Sequence, residues 1–276
     1  LHSPVYLGFE HVLHDCGYEG IHSPLVKDEE GVWRMDLEDM ENKIKEHKIK
    51  VMILSSPHNP TGRVWTKEEL IEVTEFCKRH GVQLISDEIW SDLILPGYKH
   101  TPTQSVSDWA RENVVAFYAP SKTFNLAGLI GSYHIIYGKE LREKICKTST
   151  KTYYNTMNVL SMYALLGAYT PTGEKWLSEL LEVINTNIDY ACKFIAENFD
   201  GITVSRPQGT YMIFIDCEED CKKKGIIIDE VLKKGVEVGV IWQDGRDFLG
   251  DWNIRMNLAL PTEVVKEAFD RLKLII

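Results

Sequence analysis

The sequence lacks any apolar run long enough to cross a membrane, and it is short of positive charge. A membrane-spanning helix needs about 20 consecutive apolar residues, and no stretch of the chain supplies them. Lys and Arg together number 31 against 41 Asp and Glu, which gives a net charge of −10. This surplus of acidic residues argues against nucleic acid and against an anionic membrane as partners. Internal repeats are also missing, and a hydrophobic content of 44% fits an ordinary soluble globular protein.

The spacing of the cysteines and histidines does not form a metal-binding pattern. Six cysteines are scattered along the chain, and Cys217 and Cys221 have no second Cys or His pair nearby. His11 and His14 lie three residues apart without a third ligand, which is typical of a helix surface. We therefore predict no metal site, reduced thiols and a cytoplasmic location.

A lysine lies between two apolar runs in the stretch YAPSKTFNLAGLIGSYHIIY, residues 118–137. The plain interpretation of Lys122 is a surface lysine on a turn, since lysine is seldom buried. The functional interpretation is a nucleophilic amine that condenses with a carbonyl group. Other stretches of the chain favour the second interpretation.

Two of these stretches pair an apolar strand with polar residues at its end. In IKVMILSSPHNPTGRVW, residues 49–65, a predicted strand ends in a loop that is dense in turn formers and carries Asn59. In VQLISDEIWSDLIL, residues 82–95, a predicted strand delivers Asp87 and Glu88 at its carboxyl end. Ligands of open α/β sheets bind at that edge. Solvated carboxylates are the alternative, more so for Glu88 than for Asp87.

A third stretch, NIRMNLAL, reads as a strand that carries Arg255 and Asn257 on one face by its period of two. A single arginine on a strand is usually a surface cation.

The order of these elements predicts an α/β fold with a largely parallel, doubly wound sheet, followed by a smaller α+β part. Thr66 and Glu69 have the pattern of a capping box that begins a helix, and Gly81 is expected to end it. A long amphipathic helix is predicted over residues 174–199. The predicted strands include residues 18–25, 49–54, 82–86, 114–119 and 130–137, and later 202–205, 210–217, 236–241 and 253–258.

Together, the motifs PHNPTG, DEI and SKTFN at these intervals resemble the fold-type I pyridoxal 5′-phosphate (PLP) enzymes, the aspartate aminotransferase superfamily. Within it, DEIWSDLILPGYKHTP and APSKTFNLAGL resemble the cystathionine β-lyase and C–S lyase branch. The resemblance runs from Pro4 to the C-terminus. It implies a PLP-transferase-like large domain over residues 1–175, and an interdomain helix with a small C-terminal domain over residues 176–276.

The resemblance also implies a role for each candidate residue. Lys122 would carry PLP covalently and later remove the substrate Cα proton, while Asp87 would pair with the ring nitrogen. Asn59 would donate to the phenolic oxygen of the ring, and Tyr6 would stack on the ring face. Arg255 would bind the substrate carboxylate in a bidentate manner, through two N–H donors of its guanidinium.

The sequence departs from the family pattern at several cofactor contacts. Trp90 occupies the position of a tyrosine that often bonds the phenolic oxygen. Ala119 and Ile130 occupy positions that often hold a phosphate-binding serine and arginine. Ser121 is then the candidate phosphate contact. These departures are tolerable in the lyase branch, and they favour it over a standard aminotransferase.

By resemblance, the expected activity is C–S β-lysis of a cysteine-derived thioether such as cystathionine, which yields a thiol, pyruvate and ammonia. The alternatives are an aminotransferase that acts on an amino acid and a 2-oxo acid, and a non-catalytic regulatory or binding protein on the same fold. The small-molecule substrate is an amino acid in both enzyme alternatives. The family also implies a homodimer with shared active sites.

The chain begins without Met, and the resemblance places a segment with a Gly-containing phosphate loop before Leu1. We therefore expect this chain to be a fragment or a processed form that binds PLP weakly by itself. The resemblance further predicts cis peptide bonds at Ser3–Pro4 and Asn59–Pro60.

Overall fold

The computed structural model describes residues 1–153 and 156–275. Its helices account for much of the chain. They are α1 (Leu7–Asp15), α2 (Leu37–His47), α3 (Lys67–His80), α4 (Asp108–Asn113), α5 (Lys139–Thr152), α6 (Val159–Ala168), α7 (Pro171–Asn198), α8 (Glu218–Lys224), α9 (Ile228–Glu237) and α10 (Thr262–Leu272). No helix within these described ranges is both long and apolar enough to span a membrane.

The strands are short, with at most five residues each. They are β1 (His2–Ser3), β2 (Ser23–Pro24), β3 (Val26–Lys27), β4 (Trp33–Arg34), β5 (Val51–Ser55), β6 (Gln83–Asp87), β7 (Val114–Tyr118), β8 (Tyr133–Ile135), β9 (Thr203–Val204), β10 (Met212–Asp216), β11 (Gln243–Asp244) and β12 (Asn253–Asn257).

The described residues group into two compact units. The first, here called the antiparallel unit, contains Leu1–Met40, Asn59–Arg63 and Leu181–Ile276. The second, the parallel unit, contains Glu41–His58 and Val64–Leu180. A change of unit therefore falls within α7, close to the predicted boundary between residues 175 and 176, and that domain boundary stays a prediction.

The parallel unit is built on a sheet with the strand order β5-β6-β7-β8. The β5–β6 and β6–β7 pairs are parallel and β8 is antiparallel, so the predicted mostly parallel sheet is confirmed. In this register Ser55 lies opposite Asp87, and Asp87 lies opposite Phe117. The strand ends that carry the candidate residues therefore meet at one edge.

Helix α3 shows how local sequence sets the bounds of an element in this unit. Thr66 accepts a hydrogen bond from the Glu69 amide, and the Glu69 carboxylate accepts one from the Thr66 amide at 2.7 Å. Gly81 ends the helix in the left-handed region, with φ of 63°. The predicted capping box and the predicted terminating glycine are both confirmed.

The antiparallel unit is built on a second sheet with the order β11-β12-β10-β9. The C-terminal part of α7 belongs to this unit, where Asn187 donates to the carbonyls of Leu258 and Leu260 at 2.9 and 2.8 Å. Phe194 of the same helix contacts Phe269 of α10, with ring centroids 5.4 Å apart. The α+β character predicted for the C-terminal part is thus confirmed.

Four predicted strands differ clearly from the structure, and one of them, predicted over 202–205, forms only as Thr203–Val204. The predicted strand over 236–241 is wrong, because α9 continues to Glu237 and Gly239 then turns the chain at φ of 78°. The helix buries Ile228 and Val231 at helical spacing, which outweighs the β-branched residues that follow. The predicted strand over 18–25 forms only as Ser23–Pro24, and the one over 130–137 only as Tyr133–Ile135.

Candidate functional site

The carboxyl edge of the parallel sheet brings two candidate residues to neighbouring strands. Asp87 is the last residue of β6, and its carbonyl accepts from the Ser56 amide at 2.8 Å. Lys122 follows the end of β7 in a turn that spans residues 120–125. The Lys122 ammonium acts electrostatically on the Asp87 carboxyl. This edge therefore holds an amine and a carboxylate together, as the sequence predicted for an open α/β sheet.

The Asp87 carboxyl sits in an environment that opposes its negative charge. Burial raises the pKa of Asp87 to about 6, although the Ile89 amide donates to it at 3.1 Å. The neighbouring Glu88 charge raises the pKa further, and the Lys122 ammonium lowers it. A carboxyl of this kind is stabilised as an anion by a cationic ligand group.

The turn that carries Lys122 is fixed on both sides of the lysine. The Leu126 amide donates to the Ser121 carbonyl at 3.0 Å, and the hydroxyl of buried Thr123 donates to Asp92 at 3.0 Å. The Lys122 Nζ atom lies 5.8 Å from the centroid of the Trp90 ring, and Trp90 is buried. The lysine amine therefore projects from an ordered turn and lies near an aromatic face.

The residues at the predicted phosphate end offer few side-chain donors. Ala119 is buried and has only a methyl group, and Ile130 is 86% exposed with a left-handed φ of 50°. Ser121 is partly buried in the lysine turn and carries a hydroxyl. Its assignment as a phosphate contact stays a prediction.

Arg255 is the best-braced candidate residue of the antiparallel unit. Its Nε donates to the Gln243 side-chain oxygen at 2.8 Å, and its Nη1 donates to the Asn59 amide oxygen at 2.7 Å. The guanidinium carbon lies 4.1 Å from the centroid of the Phe248 ring. Burial lowers the pKa of Arg255 to about 10, so it remains a cation at neutral pH. Both named hydrogen-bond acceptors are neutral amides, which leaves the positive charge available to an anionic ligand.

Asn59 and Tyr6 lie in the same unit as Arg255. The Asn59 side chain is buried, and its oxygen is oriented by the hydrogen bond from Arg255. Tyr6 precedes α1, is 42% exposed and makes an edge contact with Phe9 at 5.5 Å. The peptide bonds Ser3–Pro4 and Asn59–Pro60 are both cis, which confirms that prediction, and Ser56–Pro57 is cis without having been predicted.

Glu88 differs from its prediction, and Gln243 was not predicted to contact a candidate residue. Glu88 is fully buried, so the expectation of a solvated carboxylate is wrong. The signal was present, because Leu84, Ser86 and Glu88 alternate onto one face and the first two are buried. Gln243 lies opposite Arg255 in the β11–β12 register, and its short sequence context gave no comparable signal.

A metal centre has no support within the part of the chain that the structure describes. No group of three or more His, Cys, Asp or Glu side chains there is arranged to hold a metal ion. The chemical groups at the sheet edge and around Arg255 are therefore an amine, carboxylates, a guanidinium and aromatic rings.

Comparison with known proteins gives a consistent set of relatives. Cystathionine beta-lyase PatB of Bacillus subtilis is 34% identical over 98% of this chain and 69% of its own length. The structure of the PLP-bound C-S lyase from Staphylococcus hominis matches with a TM-score of 0.90 and 32% identity, over 99% of this chain and 70% of that chain. Cystalysin from Treponema denticola, which contains PLP, matches with a TM-score of 0.90 and 30% identity, over 99% and 69%.

The chain thus spans about two thirds of the length of these relatives. The family model described as Aminotransferase class I and II matches residues 1–272, which is nearly all of the chain. The protein therefore belongs to the aminotransferase class I and II family.

Proposed function

We propose that this protein is a PLP-dependent C–S β-lyase that acts on a cysteine-derived thioether such as cystathionine and yields a thiol, pyruvate and ammonia. The observation that carries the proposal is the placement of Lys122 and Asp87 at one edge of the parallel sheet, with Trp90 beside the amine. The printed names of PatB and of the Staphylococcus hominis enzyme support the choice of reaction.

The donor set of the parallel unit fits PLP. The Lys122 amine is the group that PLP requires for covalent attachment, and Asp87 is a carboxylate that gains from a cationic partner such as a protonated ring nitrogen. Trp90 offers an aromatic face near the amine, and Ser121 offers a hydroxyl next to it in sequence. When bound, PLP supplies an electron sink for the carbon that bears the substrate amine.

Lys122, Asp87 and Trp90 of the parallel unit each have a defined task in this proposal. Lys122 would hold PLP covalently, and its amine, when free, would act as the general base toward the substrate Cα proton. The Asp87 carboxylate would pair with the protonated ring nitrogen of PLP and would help that nitrogen to keep its proton. Trp90 is buried and its ring centroid lies 5.8 Å from the Lys122 Nζ atom, so that it would limit the access of water to the amine.

The antiparallel unit supplies the candidates for recognising the substrate and the ring substituents. We assign Arg255 to the substrate carboxylate, because its charge is buried, braced by Gln243 and hydrogen-bonded only through neutral amides in the contacts described above. Asn59 is assigned to the phenolic oxygen of PLP and Tyr6 to the face of its ring. These two assignments are proposals from the family resemblance.

An aminotransferase reaction is the second candidate, because it uses the same early proton transfer and is the activity that names the family. Lys122, Asp87 and Arg255 serve both reactions equally, so these residues do not separate them. A non-catalytic role is disfavoured, since a binding protein has no need for an amine held in an ordered turn beside Trp90.

One assay separates the three alternatives. The full-length protein with PLP is incubated with cystathionine alone, and in parallel with an amino acid and a 2-oxo acid. We expect thiol and pyruvate in equal amounts from cystathionine. A new amino acid in the second mixture, without thiol or pyruvate in the first, would identify an aminotransferase, and no product in either would indicate a non-catalytic protein.

We further propose that the protein is a cytoplasmic homodimer with shared active sites. The support is an apolar face on α6, where Val159, Leu160, Tyr163 and Leu166 are each more than half exposed. Exposed apolar side chains that cluster on one helix are typical of surfaces that another chain covers. A second copy of this chain is the partner that the family resemblance implies.

A further inference from the structure

Glu88 is a buried ionisable residue with no task in the mechanism described above. Its side chain is fully buried, directly after the end of β6. Oε1 accepts from the Ser86 hydroxyl and the Thr103 amide, each at 2.9 Å. Oε2 accepts from the Tyr118 hydroxyl at 2.8 Å and lies 2.9 Å from the Nε2 atom of His100. Both carboxylate oxygens are therefore fully engaged inside the protein.

These contacts keep Glu88 negatively charged. Burial alone would raise the pKa of Glu88, but the hydrogen bond and the charge of His100 oppose it, together with the Thr103 amide and the Tyr118 hydroxyl. The net result is a pKa below the usual range for glutamate. Burial and the Glu88 charge raise the pKa of Tyr118, so the phenol remains a donor. Tyr133 and Tyr137 act on Tyr118 in the same direction.

The position of Glu88 connects it to Asp87 and to the segment that leads to Lys122. Successive side chains of a strand point to opposite faces, so Glu88 and Asp87 leave the chain on opposite sides. The Glu88 amide donates to the Phe117 carbonyl at 2.9 Å, which extends the β6–β7 pairing past Asp87. Its carboxylate holds Tyr118, the last residue of β7, four positions before Lys122.

We propose that Glu88 is a positioning residue: a permanent buried anion that ties the end of β6 to the end of β7 and makes Asp87 hold a proton or a cation more tightly than Asp87 would alone. The proposal rests on the proposed function, in which the cation is the protonated ring nitrogen of PLP. Asp87 still makes the contact, and Glu88 acts only through Asp87.

The charges around Asp87 support this assignment. Glu88 is the anion whose charge raises the pKa of Asp87, while the Lys122 ammonium and the Ile89 amide lower it. Replacing Glu88 by glutamine keeps the shape and the hydrogen-bonding capacity but removes the charge, so Asp87 should lose its proton at a lower pH. A weaker base at position 87 would also pair less tightly with a cationic ring.

The test is a ¹³C NMR titration of the side-chain carboxyls of the full-length protein before PLP is added, with the Asp87 signal assigned through Asp87→Asn. The wild-type midpoint for Asp87 is expected at about 6. In Glu88→Gln it should fall by at least about 0.5 pH unit, as expected from the removal of a neighbouring charge. Ser86→Ala is the matched control, because it removes one donor but keeps the Glu88 charge and should leave the Asp87 midpoint in place.

Several results would overturn the proposal. An unchanged Asp87 midpoint in Glu88→Gln, or an equal shift in Ser86→Ala, shows that the Glu88 charge does not act on Asp87. If Glu88→Gln does not fold, the Glu88 signal of the wild-type protein decides instead, since a neutral Glu88 carboxyl at pH 7 contradicts a permanent anion.

The same variants are then titrated with PLP. Half a pH unit corresponds to about threefold in affinity, so Glu88→Gln should bind PLP at least about threefold more weakly than Ser86→Ala. Equal affinities contradict the proposal. A wild-type protein that binds no PLP refutes the proposed function, whereas the titration without PLP still decides the role of Glu88.

Discussion

At the scale of single residues, Lys122 makes the sharpest prediction. Replacing Lys122 by Ala removes the amine that projects from the turn after β7, and should abolish both the visible absorbance of bound PLP and turnover. Lys144→Ala is a suitable control, because Lys144 is an exposed lysine on α5 that pairs with Glu140. Normal absorbance and rates in Lys122→Ala would show that another residue carries the cofactor.

Arg255 tests substrate recognition. Arg255→Lys keeps the charge but loses the planar fork that Gln243 and Asn59 brace. We expect kcat/KM for amino acid substrates to fall roughly 30- to 150-fold, which corresponds to a loss of about 2–3 kcal/mol in transition-state stabilisation. Steady-state kinetics measures this change, and an unaffected kcat/KM means that the carboxylate binds elsewhere.

The raised pKa of Asp87 should make the stability of the PLP-free protein depend on pH. Because burial raises its pKa to about 6, the folded protein binds the proton more tightly than the unfolded chain, whose aspartate pKa is about 3.9. The resulting stability is fully present below about pH 4 and is lost as the pH rises through about 6. Asp87→Asn cannot ionise, so relative to wild type it should gain about 1–3 kcal/mol between pH 4 and pH 8.

Urea unfolding of both proteins at pH 4, 6 and 8 measures this difference. A constant difference across that range would mean that Asp87 titrates normally in the folded protein. The same substitution should weaken PLP binding, so stability and cofactor affinity are expected to move in opposite directions at pH 8.

At the scale of elements, the loop after β5 depends on a glycine. Gly62 has a φ of 69°, and a Cβ atom there would lie 2.4 Å from the Cβ of Pro207 and 2.8 Å from the Gly209 carbonyl oxygen. Its own carbonyl accepts from the amides of Gln208 and Gly209. Gly62→Ala should therefore destabilise the protein by more than about 1 kcal/mol.

Gly167→Ala provides the matched control, because nothing lies within 4 Å of its Cβ position and it is within α6, where alanine is the better helix former. Thermal unfolding of both variants decides the matter. Equal Tm values would show that the loop adjusts to a side chain at position 62.

The elements also show what the sequence could and could not predict. The capping box at Thr66 and Glu69 and the parallel strands are local or periodic signals, and the structure confirms them. The strand predicted over 236–241 was wrong, because a run of β-branched residues looks alike at a helix end and in a strand. The alternation of Glu88 with Leu84 and Ser86 indicated its burial, but its partners His100, Thr103 and Tyr118 lie in other segments and were not predictable from the local sequence.

At the scale of the whole molecule, the exposed face of α6 predicts self-association. Leu160→Glu places a charge at a side chain that is 71% exposed, so it should leave the fold intact while it disrupts a dimer that buries this face. Leu274→Glu is the control, because Leu274 is similarly exposed but lies after α10. Sedimentation velocity should show monomers for Leu160→Glu and dimers for Leu274→Glu. Dimers for both variants would exclude α6 from the interface.

The identity of the lysine that carries PLP decides whether the sheet edge at Asp87 and Lys122 is the catalytic centre. The full-length protein is loaded with PLP, reduced with borohydride to make the attachment permanent, digested and analysed by mass spectrometry. We predict one phosphopyridoxyl group per chain, on the peptide that contains Lys122. A label on another lysine, or no specific label in a folded protein, would contradict the assignment of the sheet edge at Asp87 and Lys122 as the catalytic centre.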